Sequence, residues 1–149
     1  MCSYCGCESE AVIAELMGEH AAIASMVDQV SAALHRGDRS EAESVCARIG
    51  AMFARHGRME EDGLFSELGA DPIATDTVAE LEQDHRRLYE GLARVPTASA
   101  GEILEMLAEL LDHANREDTD VFPTALQVLP DRAWERIADV HRAARQPAA

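Results

Sequence analysis

Four histidines stand where a helix would otherwise bury leucine or valine, one on each of four successive apolar stripes. In the first stripe Leu16, His20, Ile23 and Val27 recur at helical spacing, and in the third Leu81, His85, Leu88 and Leu92 do the same. Ile49 and Phe53 lead into His56 on the second stripe, and Met106 and Leu110 into His113 on the fourth. A polar ring on a buried face has to find its partner inside the fold. The chain is thereby restricted to helices that converge on a shared polar interior.

Turn signals divide these stripes. The first helix is expected over about 9–34, stopped by Arg36-Gly37-Asp38, and the second over about 40–68, ended by Gly69 and Asp71-Pro72. The third covers about 75–94 and closes at Val95-Pro96. The fourth opens at Ser99, with Glu102 as its capping-box partner, and continues to about 129. Pro123 lies inside that stretch and is expected to kink it or to start a new segment. A short fifth helix over about 132–143 should pack Trp134 and Ile137 against the rest. Short connections favour antiparallel neighbours, so the expected fold is all-α, an up-down-up-down four-helix bundle with a short fifth C-terminal helix. Three parts follow: a cysteine-rich segment over 1–8, the bundle over 9–129, and a short helix with a tail over 130–149.

The second and fourth helices also share a template. His56-Gly57-Arg58-Met59-Glu60-Glu61-Asp62-Gly63-Leu64-Phe65 aligns with His113-Ala114-Asn115-Arg116-Glu117-Asp118-Thr119-Asp120-Val121-Phe122. Four residues advance about 6 Å, roughly one turn, so His56 shares a face with Glu60 and His113 with Glu117. Taken singly, a histidine on a stripe is an ordinary core residue and a His-x3-Glu pair an ordinary surface contact. Taken together, four imidazoles and two carboxylates turn inward at matched register. Burying them unpartnered would cost on the order of several kcal/mol per ionised group, and a cation offsets that cost by taking them as ligands. His35, at a helix C-terminus, and His141, in a polar tail, are expected to be solvated.

The N-terminal Cys2-x2-Cys5-x-Cys7 cluster has two readings: a thiolate metal or redox site, needing a further donor such as Cys46, Glu8 or a second chain, or a tail of reduced thiols. Cys46 itself reads as an ordinary semi-buried residue. Lys and Arg total 13 against 28 Asp and Glu, a net charge of −15, which repels phosphate backbones and anionic membrane surfaces. Neither nucleic acid nor membrane is an expected partner. No apolar run reaches the ~18 residues of a membrane span, and Met1-Cys2-Ser3-Tyr4 lacks the features of a secretory signal, so a cytoplasmic location is expected.

In order, His20, His56 with Glu60, His85, and His113 with Glu117 resemble the pattern of the hemerythrin-like, or HHE cation-binding, family, over about 10–129 of this chain. Glu19-His20, Asp84-His85-Arg86-Arg87-Leu88 and Val121-Phe122-Pro123 support the resemblance. It implies a four-helix bundle holding two non-heme irons, oxo- or hydroxo-bridged, with His20 and His56 serving mainly one, His85 and His113 the other, and Glu60 and Glu117 bridging. Met59, Leu64, Phe65, Val121 and Phe122 would shield the centre from water. The implied ligand is small: O2, hydrogen peroxide or nitric oxide. The oxygen carriers of the family have a further histidine where this chain has Tyr89, and an aspartate at the position of Asp118. Tyr89 therefore has three open roles: ligand, hydrogen-bond donor to bound oxygen, or packing. Asp118 competes with Glu117 for the bridging role; the symmetry with Glu60 favours Glu117, which leaves Asp118 the alternative of a place behind a ligand. Loss of the extra imidazole points away from reversible oxygen carriage and toward reaction with peroxide, that is, catalase-like dismutation. The rival readings are an oxygen, iron or redox sensor without turnover, and a bundle with structural zinc or manganese. A ferritin-like centre fits poorly, since Glu82-x2-His85 is the one convincing Glu-x2-His. A monomer or a homodimer is expected.

Overall fold

The computed structural model describes residues 7–146, and among them there is helix and no strand. α1 runs Cys7–His35, with Glu8 and Glu10 in its first turn where acids oppose the positive end of the helix dipole. Gly37, at φ 75°, makes the left-handed turn that frees Asp38 to cap the next helix by accepting from the Glu41 amide. α2 follows over Arg39–Met59. It passes into a wider, i→i+5 turn at Glu60–Phe65 and then into α3, the single turn Ser66–Leu68.

α4 spans Thr75–Ala93 and α5 spans Ala100–Arg116. The expected capping box opens α5: Ser99 Oγ accepts from the Glu102 amide at 3.1 Å, and Glu102 accepts from the Ser99 amide at 2.7 Å. A second i→i+5 segment, Glu117–Val121, leads into α6, Phe122–Val128. α7, Asp131–Arg145, closes the described chain.

Two sequence expectations need correction. The second and fourth helices are not regular to their ends, because each widens at its inward glutamate. Pro123 does stand in the first turn of a new segment, as expected, but the widening ahead of it begins at Glu117, and the same widening occurs at Glu60 in a segment without proline. Proline simply enters the first turn of α6, where its missing N–H is tolerated. The other correction concerns His141, which is fully buried rather than solvated. α7 continues past it to Arg145, so residue 141 lies on the helix's apolar face with Trp134 and Ile137 rather than in a tail. Its Nδ1 lies 3.1 Å from Glu15 Oε2, and Arg145 holds the same carboxylate. His35 is exposed and bonds the Ser31 carbonyl, as its C-terminal place suggests.

α1 packs on α2, α2 on α4, α4 on α5, and α5 back on α1, while α7 covers α1, α2 and the first widened segment. The buried apolar side chains form two separate groups. One gathers Leu16, Met59, Phe65, Leu81, Phe122 and Ile137. The other gathers Ile23, Ile49, Phe53, Leu88, Leu107 and the free thiol of Cys46. The inward histidines and glutamates separate these two cores. No described helix is long and apolar enough to cross a membrane.

Candidate metal centre

Helical periodicity delivers one imidazole from each of α1, α2, α4 and α5 to the same level. His56, His85, Glu60 and Glu117 are fully buried and His20 and His113 nearly so. The donors form two overlapping groups, His20, His56, Glu60, Glu117 and Glu60, His85, His113, Glu117, each with ligand atoms within 4.8 Å of one another. Glu60 belongs to both by geometry: Oε1 lies 3.2 Å from His56 Nε2, and Oε2 lies 3.3 Å from His85 Nε2. On the far side Glu117 Oε1 lies 2.5 Å from His113 Nε2.

The outer nitrogen of every one of these rings faces a carboxylate. His20 Nδ1 meets Asp118 at 2.7 Å, His56 Nδ1 meets Glu19 at 2.8 Å, His85 Nδ1 meets Glu61 at 2.7 Å, and His113 Nδ1 meets Asp84 at 3.4 Å. An Nδ1–H that donates outward leaves the ring's lone pair on Nε2, aimed at the centre. Each acid is the chain neighbour of an inward donor: Glu19 of His20, Glu61 of Glu60, Asp84 of His85, Asp118 of Glu117. The widened turns begin at two of these four neighbour pairs, Glu60-Glu61 and Glu117-Asp118. The arrangement repeats in the two halves of the chain. Phe65 stacks on His85 at 5.5 Å between centroids, as Phe122 stacks on His20 at 5.8 Å.

Both oxygens of Glu60 and of Glu117, with Nε2 of His85 and His113, are buried without any hydrogen-bond partner. Buried lone pairs facing one another are unstable unless a positive charge sits between them. Without a metal ion, protons take that place. Burial, then the charge of Glu60, pushes the Glu117 carboxyl well above the usual carboxylate range. Burial disfavours the charged form of His56, but Glu60 and Glu19 outweigh it and raise its pKa to about 10. Burial and the His56 charge push His20 down, and burial with the His85 charge pushes His113 down to about 4. At His85 burial is outweighed by Glu60 and Glu61, which raise its pKa, so the two imidazoles of each half are shifted in opposite directions. Cations bound here would displace those protons.

A family model described as the hemerythrin HHE cation-binding domain matches residues 11–125. The chain belongs to this family. No curated protein and no solved structure matches it. The donor set of this hemerythrin domain fits cations of the imidazole- and carboxylate-binding kind, iron included, in chemistry and in its unpartnered atoms.

Other expected residues fall outside the inner set or in different roles. Asp118 sits behind His20 rather than among the inward oxygens. Tyr89 packs its ring on Phe53 and His85, with its hydroxyl against Gly57 on the Nδ1 side of His85. Burial, then Glu61, raises its pKa to about 12, so the phenol stays protonated. Cys2 and Cys5 lie outside the described residues, and Cys7 is the first residue of α1. The roles of Glu19, Glu61 and Asp84 were missed in the sequence, although all three stand beside a candidate ligand. Phe53 was likewise read as a stripe residue, yet its ring touches His56, His85 and His113.

Proposed function

We propose that this is a di-iron hemerythrin-like protein, an up-down-up-down bundle that reacts with O2, hydrogen peroxide or nitric oxide, with peroxide dismutation the activity its centre suits best. The observation that carries the reading is Glu60, buried and turned with one oxygen to each histidine pair. His20 and His56 would hold one ion, His85 and His113 the other, with Glu60 and Glu117 shared. Two irons so held would supply two redox equivalents side by side for a dioxygen-level molecule.

The chain's own contribution is positioning and shielding. Asp118, Glu19, Glu61 and Asp84 hold the Nδ1–H of each ring outward, fixing its tautomer and raising its basicity. Phe53, Phe65 and Phe122 line the rings and keep bulk water out. Two donors per half from histidine, plus shared carboxylates, leave room for a small ligand. In dismutation one peroxide is oxidised to O2, and its two electrons and two protons reduce a second peroxide to two waters.

Protein expressed with ample iron should contain about two irons per chain and show the visible bands of a bridged ferric pair. It should consume peroxide with one O2 released for every two peroxides, and Glu60→Ala should abolish both the spectrum and the reaction. Zinc in place of iron, with a colourless protein that ignores peroxide, would defeat the proposal.

A further inference from the structure

The two halves of the centre are built alike but supported unequally. Three of the four outer carboxylates hold their histidine at 2.7–2.8 Å, whereas Asp84 lies 3.4 Å from His113 Nδ1. Asp84 occupies the place that Glu19 occupies in the other half, one residue before the inward histidine. Both are also gripped by arginine, Glu19 by Arg55 and Asp84 by Arg87, the latter at 2.7 Å. Sharing with arginine is therefore common to both, and the difference is the side chain. Aspartate is one methylene shorter than glutamate, and Asp84, held by Arg87 through Oδ1, leaves its Oδ2 3.4 Å from His113 Nδ1. Beside this pair, a cleft of about 210 Å³ between α4 and α5 reaches His113 and is bordered by Asp84, Arg87, Glu109, Asp112 and Arg116.

We propose that the His85/His113 half holds its ion less tightly than the His20/His56 half, that Asp84 is the positioning residue responsible, and that the α4–α5 cleft is the path by which this ion enters and leaves. Asp84, Glu109 and Asp112 outnumber Arg87 and Arg116 along the cleft and draw a cation in; a loosely oriented His113 lets it go. Carboxylates behind metal-bound histidines typically set affinity by about 10–100-fold, which is the scale of inequality expected here. The inference rests on the two-ion reading above.

The test is release of iron from the reduced, two-iron protein to a strong chelator in excess. Two phases of equal amplitude are expected, about 10-fold or more apart in rate. Asp84→Glu, which restores the missing length, should slow the fast phase toward the slow one. Glu19→Asp, the mirror change, should speed the slow phase. A single rate for both ions, or an Asp84→Glu variant whose fast phase is unaltered, would overturn the inference while leaving the two-ion reading intact. A protein that takes up no iron would overturn both.

Discussion

The Asp118 carboxylate lies 2.7 Å from His20 Nδ1, joining the fourth long helical stretch to the first across 98 positions of chain. Asp118 is partly exposed while Glu117, its neighbour, is fully buried among the inward donors. Asp118→Asn removes the charge behind His20 and leaves the inner set intact. Metal affinity should fall about 10–100-fold with the fold unchanged. Glu117→Gln removes a shared ligand and should cost more. Competition with a chelator, alongside circular dichroism, checks the order. The reverse order would assign the bridging role to Asp118.

Glu60 reaches both halves, whereas His113 reaches one. Glu60→Ala should therefore lose both ions, and His113→Ala should keep about one. Elemental analysis of the purified variants reads this directly. Equal loss in the two variants would contradict the shared role of Glu60.

A Cβ on Gly57 would overlap the Tyr89 hydroxyl and come within 3.2 Å of its ring carbon Cζ. Gly57→Ala must therefore displace the ring that packs on His85. The expected cost is roughly 1–3 kcal/mol, typical of overpacking in a tight core. Tyr89→Phe removes the overlapping atom, so the double variant should recover most of that loss in chemical denaturation. If the two changes are simply additive, the contact is not what makes residue 57 a glycine.

The Glu15 carboxyl is held down to about 2 by its bond to Arg145, against burial, with His141 adding to the effect. Its folded pKa lies below its unfolded value, so the contribution to stability is full above about pH 4.5 and is lost as the pH falls toward 2. Relative to Glu15→Gln, the parent should be more stable at neutral pH, with the gap closing over that acid range. Denaturant melts at a series of pH values measure it. A gap independent of pH would show that the contact does not depend on the Glu15 charge.

The six inward donors were legible because helical spacing is a local property, and His20, His56, His85 and His113 each keep apolar company at that spacing. His141 carried the same mark: Trp134, Ile137, Ala138 and His141 follow one another along a single face. Its place near the expected end of the fifth helix, next to a polar tail, hid it. The pairings of Glu19 with His56 or Asp118 with His20 were beyond reach, because they join different helices and depend on how those helices are rotated. The widened turns were invisible for a related reason. Nothing in the local propensities of Glu60–Phe65 forbids a regular helix, and what accompanies the extra width is the use of two consecutive acids by one centre.

The polar level lies between two separate apolar cores, each formed from several helices. Each end of the bundle can thus cohere by itself, and ions bound between them would act as rivets through a seam that oil cannot seal. Stripped of them, the protein should soften first at its waist, with amide exchange quickening around 56–60 and 113–117 while both ends stay closed.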